Sequence, residues 1–127
     1  PWAVPRLFDL YAQQVQSRLA FGTPAVVAAN WPLDVVEAWL AAVARNETTQ
    51  RRVDALLARL PSYHLAVDVE GPFRVWPEVA DLARAHGLPV RDAACLELAL
   101  RLKLPLATTA ATLLAAAPAA GVPVFTP

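Results

Sequence analysis

The sequence predicts an α/β layered domain with a mostly parallel sheet flanked by helices, and two observations carry that expectation. Short apolar runs of strand length alternate along the whole chain with longer segments of helical periodicity, each stopped by Gly, Pro or a polar cluster. A length of 127 residues with 57% hydrophobic side chains is enough to bury one core, so no second module is expected.

The elements follow in order. Pro1-Trp2-Ala3-Val4-Pro5 reads as extended or turn, an unusual beginning that suggests a missing start. From Leu7 to Phe21, Leu7, Leu10, Tyr11, Val15 and Leu19 recur near a 3.6-residue period, and Gly22-Thr23-Pro24 stops the pattern. Ala25 to Ala29 is a continuous apolar run, as expected of a strand buried on both faces. After the turn Asn30-Trp31-Pro32, Leu33 to Ala44 has helical spacing through Leu33, Val36, Leu40 and Val43. The polar break Arg45-Asn46-Glu47-Thr48 precedes a second helix from about Thr49 to Leu60, which Pro61 ends.

Leu65 to Val69 reads as a strand, followed by the turn Glu70-Gly71-Pro72. Trp76 to Ala85 is helical, with Pro77 suited to the first turn, and Gly87 ends it by tolerating a left-handed backbone. A helix beginning near Asp92, a strand from Leu106 to Thr108, an Ala-rich helix from Thr112 to Ala117 and a strand from Val122 to Phe125 complete the chain.

Composition removes several function classes. Eleven basic and eleven acidic residues cancel, so no global charge drives nucleic-acid binding and any RNA contact must be local. The lone Cys95 rules out an internal disulfide and a cysteine metal cluster; its place in an apolar helix favours a buried small side chain over a reactive thiol. No apolar run reaches the roughly 18 residues of a membrane span, and the start does not read as a signal peptide, so the expectation is a soluble, cytoplasmic protein. Four scattered glycines form no phosphate loop, and no Gly-x-Ser-x-Gly elbow occurs.

Ligands of an open parallel sheet gather beyond the carboxyl ends of its strands, and the sequence places Asp34 and Asp92 there. Asp92 opens an otherwise apolar helix, where its plain structural role is an N-cap. Glu37, three residues after Asp34, can turn toward the same cavity or stay in solvent. Glu97 is better explained by an i,i+4 ion pair with Arg101, and Thr108 and Thr109 by capping. His64 and His86 lack a second histidine at ligand spacing and read as structural. Arg45, Arg51, Arg52 and Arg59 make a basic, solvated face. Trp31, Trp39, Trp76 and Phe73 read as packing residues, any exposed member pointing to an interface.

The order acid-Ala-Ala-x-Leu-Glu-Leu-Ala, then Leu-Pro-Leu-Ala-Thr, then an Ala-rich helix and Ala-Gly-Val-Pro-Val resembles the C-terminal half of PIN domains of the VapC-like type II toxins. In that family the helix begins Tyr-Asp-Ala-Ala-Tyr and the next strand ends Ala-Thr-x-Asp. Here the corresponding residues are Arg91-Asp92-Ala93-Ala94-Cys95 and Ala107-Thr108-Thr109-Ala110, so the first acid is kept and the second is replaced. Trp31-Pro32-Leu33-Asp34 stands where VapC-like chains carry Trp-x-Leu-Glu, with a carboxylate one methylene shorter. The resemblance runs from Trp2 to Phe125, and its specificity is concentrated near the C-terminus.

The resemblance implies a three-layer PIN-like fold and a single domain over residues 1–127. Its first strand, which in the family ends Asp-Ala-Ser and carries the first acid, is expected to be missing. It also implies a Mg²⁺- or Mn²⁺-dependent endoribonuclease toxin of a toxin–antitoxin system, with Asp34 and Asp92 as metal and catalytic positions. Of four family acids this chain keeps one and substitutes one, so weak metal binding and impaired cleavage are implied. The implied partners are an RNA substrate, a cognate antitoxin and a second copy of the chain. The alternative is a non-catalytic PIN-like domain that binds an antitoxin or RNA; a third reading is an unrelated α/β domain in which Asp92 is only a cap.

Overall fold

The computed structural model describes residues 10–127, and the expected extended start and Leu7 lie outside them. The order of elements is α1 (Leu10–Ala20), β1 (Ala25–Val27), α2 (Trp31–Ala44), α3 (Gln50–Arg59), β2 (Leu65–Val67), α4 (Ala80–His86), α5 (Val90–Leu102) and α6 (Ala111–Ala119). The described residues are therefore mixed α/β, with six helices and a small two-stranded parallel sheet.

Strands β1 and β2 pair in parallel, Val26 opposite Ala66. Parallel pairing requires a crossover, which α2 and α3 supply. The ladder is closed at its ends by the Ala25 amide donating to the His64 carbonyl and the Asp68 amide donating to the Val27 carbonyl, both at 2.9 Å. Alternate residues of a parallel strand bond the same neighbour, so the amide and carbonyl of Val26 point away from β2.

The two C-terminal strands expected from sequence shrink to one parallel bridge, Leu106 to Val124. There the Leu106 amide donates to the Pro123 carbonyl and the Phe125 amide to the Leu106 carbonyl, both at 2.9 Å. The residues are apolar as expected; what is absent among the described residues is a second neighbour to extend the ladder.

Local chemistry explains most boundaries. Pro32 sits in the first turn of α2, and Asp34 in that turn complements the helix dipole. The Thr49 hydroxyl accepts from the Arg52 amide and caps α3. Gly87 ends α4 at φ 61°, the left-handed conformation that its missing Cβ permits. Lys103 ends α5 in the same conformation, φ 55°, without that advantage. The helix expected from Trp76 is interrupted only at that residue, which is extended at φ −129° and ψ 122° as the residue before Pro77 is biased to be; the wide helical turn Val75–Val79 otherwise runs directly into α4. A short 3₁₀ turn, Gly71–Arg74, precedes it, and a Cβ at position 71 would lie 2.8 Å from an Asp68 carboxylate oxygen.

The core has two parts. Val15, Leu19, Val27, Trp31, Val35, Trp39 and Val53 pack between α1, α2, α3 and the sheet, with Ala107 and Phe125 against them. Val79, Leu88, Leu96, Ala99, Leu113, Ala117 and Val122 form the second part around α5 and α6. Trp31 and Trp39 are thus packing residues as expected, whereas Phe73 and Trp76 are 82% and 72% exposed and are not. The Arg84 guanidinium stacks 5.4 Å from the Trp76 ring centroid.

One charge cluster ties the two parts together. Arg101 on α5 pairs with Glu97 at 2.8 Å, the expected i,i+4 pair, and also with Asp68 beyond β2 at 2.7 Å. Both carboxylates are buried. Asp68 also accepts from the Gly71 amide at 2.8 Å. The Arg101 hydrogen bond, helped by the Gly71 and Glu70 amides, holds the Asp68 carboxyl below its ordinary pKa despite burial. Among the described residues, no helix is long and apolar enough to cross a membrane.

Candidate active site

A cavity of about 610 Å³ lies between the two parts of the core. Val26 and Ala107, from the two separated pieces of sheet, both line it, and so do Leu19, Trp31, Ala99 and Leu113. The walls are mainly apolar. A few polar groups converge on it: Asp34 and Glu37 from α2, Arg91 and Asp92 from α5, and Thr108 after the Leu106 bridge.

The two candidate acids therefore share one cavity, although 57 residues of chain separate the α2 and α5 ends. Asp34 is brought there by the turn Ala28 to Trp31, whose Trp31 amide donates to the Ala28 carbonyl at 2.9 Å as the chain leaves β1 for α2. Asn30 does not cap α2 with its side chain; its amide instead donates to Asp34 Oδ2 at 2.6 Å. Asp34 Oδ1 accepts from Arg91 Nη1. The same Arg91 nitrogen lies 3.7 Å from Glu37, which joins the rim while its side chain stays 76% exposed.

Asp92 has a different environment. It is not the cap of α5, since Pro89 holds that position without a side-chain bond and Asp92 lies inside the first turn. Its Oδ2 accepts from the Thr112 hydroxyl of α6 at 3.0 Å. The acid is thus tied to a neighbouring helix by a neutral donor, while a carboxylate in the first turn still complements the α5 dipole.

Cys95, one helical turn beyond Asp92, reports on both acids. Burial first, and then the negative charges of Asp92 and Asp34, push its thiol up to about 11. At neutral pH it is a protonated, unreactive side chain in the cavity wall, as its sequence context suggested.

The remaining candidates have structural roles. Thr108 is buried and its hydroxyl accepts from the Ala110 amide at 3.1 Å, shaping the approach to α6. His64 Nδ1 lies 3.3 Å from the Gly22 carbonyl. Arg45 pairs with Glu47 at 2.8 Å, which raises its already high pKa, and Arg51, Arg52 and Arg59 are exposed.

Sequence reasoning did not single out Arg91, Asn30 or Thr112 as partners of the acids. Arg91 had a signal: it stands where the resembled helix start carries Tyr. That Arg91 pairs with Asp34 and Thr112 with Asp92 had none, because no local pattern pairs residues 57 or 20 positions apart.

The donor set bears on a metal ion directly. Among the described residues no three His, Cys, Asp or Glu side chains gather in a group able to hold one. Two carboxylates on one cavity fit the way Mg²⁺ is often held, by one or two acids with waters and substrate phosphates completing the shell. They do not make an all-protein cage. Comparison of the chain with family models, curated proteins and solved structures gave no significant match.

Proposed function

We propose that this chain is a VapC-like PIN-domain protein in which Asp34 and Asp92 are the remaining metal and catalytic positions of a Mg²⁺- or Mn²⁺-dependent endoribonuclease toxin. The observation that supports this most is the meeting of Asp34 and Asp92, from different helices, on one cavity at the ends of β1 and the Leu106 bridge. That is where an open parallel sheet gathers ligands. Under this proposal the domain has the three-layer arrangement, and its partners are RNA, a cognate antitoxin and a second copy.

A divalent ion, when bound, would lower the pKa of a coordinated water and offset charge on an RNA phosphate. The chain's own residues have simpler tasks. Asp34 and Asp92 supply oxygen ligands; Asn30 and Thr112 hold those carboxylates in orientation through bonds of 2.6 and 3.0 Å. Much of the cavity wall beside them is apolar.

The ion pair between Asp34 and Arg91 favours a second reading, a non-catalytic PIN-like domain that binds an antitoxin or RNA. Incubating a mixed RNA pool with the protein and Mn²⁺ or Mg²⁺ separates the two. Cleavage lost both in Asp92→Asn and with a chelator is the expected result for the nuclease. No cleavage, or cleavage unchanged by Asp92→Asn, gives preference to the binding domain.

A further inference from the structure

We propose that the Arg91 guanidinium is the resident counter-ion of the acidic rim, and that a divalent cation reaches Asp34 only by displacing it. The inference deepens the metal-dependent reading and rests on it.

The Asp34 side chain is 18% exposed and lines a largely apolar cavity, so its charge needs a partner when no metal is bound. Arg91 supplies that partner. With Arg91 on Oδ1 and Asn30 on Oδ2, both oxygens of the carboxylate already have donors. The guanidinium also approaches Glu37, which lies one helical turn along α2 from Asp34. It bridges two acids as a cation joining them would. Arg91 is the only side chain placed at both carboxylates among the described ion pairs.

Two properties of Arg91 make it a threshold instead of a permanent block. A guanidinium is a planar group of donors that meets the carboxylate through its N–H edge, so it clears the acid by swinging away as a unit. Its side chain is 65% exposed, which leaves it a path into solvent. A divalent ion and a guanidinium at one carboxylate repel each other, so metal affinity includes the cost of that displacement. Asp92 carries no such cost, because its partner is the neutral Thr112 hydroxyl.

The test is Mn²⁺ binding, read from the electron paramagnetic resonance signal of free Mn²⁺, with circular dichroism confirming that each variant is folded. Arg91→Gln should bind Mn²⁺ about tenfold more tightly than the parent chain. Adding Asp34→Asn to Arg91→Gln should abolish that gain. Equal or weaker binding by Arg91→Gln, or a gain that survives Asp34→Asn, overturns the proposal while leaving a metal site in place. If neither the parent nor Arg91→Gln binds Mn²⁺ at millimolar concentration, the metal-dependent reading itself fails and takes the proposal with it.

Discussion

Arg101 shows how much one side chain can hold in this molecule. Its guanidinium satisfies two buried carboxylates, Glu97 on its own helix and Asp68 beyond β2. Removing it leaves both acids without their cation, and Arg101→Ala should cost about 3 kcal/mol of stability in chemical denaturation. A loss below about 1 kcal/mol would show that the acids simply rehydrate. The pH dependence follows from Asp68, whose folded pKa lies below its unfolded one. Its contribution is therefore present above the unfolded value of about 4 and lost as pH falls through the lower folded value. Arg101→Ala should flatten this acid limb. The i,i+4 half of the cluster was legible in the sequence, since Glu97 and Arg101 lie on one helix. Asp68 was not, because its pairing depends on where β2 delivers the chain.

At the scale of elements, helices were legible and strands only in part. A helix makes its hydrogen bonds within itself, so the periodicity of Leu10 to Leu19 and the alanines of Ala111–Ala119 identify helices without further context. A strand depends on a neighbour. Leu106 to Thr108 and Val122 to Phe125 have strand composition, yet the ladder between them is a single bridge. Helix ends divide the same way: Gly87 announced its left-handed turn, whereas Lys103 adopts one that its residue type disfavours. Lys103 is exposed, and its amide and that of Leu104 return to Ala99, closing the α5 terminus. Lys103→Gly should relieve the backbone cost and raise stability by about 0.5–1 kcal/mol, less any loss from a more flexible unfolded chain. Unchanged or lower stability in thermal unfolding would place the conformation at no net cost.

Across the whole molecule, the main feature is a core in two parts with the sheet divided between them. Amide exchange offers a direct check. Ala25 and Leu106 donate across their pairings, whereas the amides of Val26 and Ala107 are on the alternate positions of their strands and line the cavity. Val26 and Ala107 should exchange faster than Ala25 and Leu106. Equal protection at all four would mean that the cavity edge is covered. The candidate site was legible to the extent that Asp34 follows a strand-like run and Asp92 lies at the start of an apolar helix, but their shared cavity belongs to the tertiary arrangement. Helix α2 then has a second kind of importance. It carries Trp31, Val35 and Trp39 on its buried side and Leu33, Val36 and Leu40 outside, two apolar stripes roughly 130° apart around the axis. Hydrophobicity alone would accept the helix rolled either way. Asp34 and Glu37 reach Arg91 in only one of those settings, so this contact also acts as a rotational key that makes the wrong roll costly.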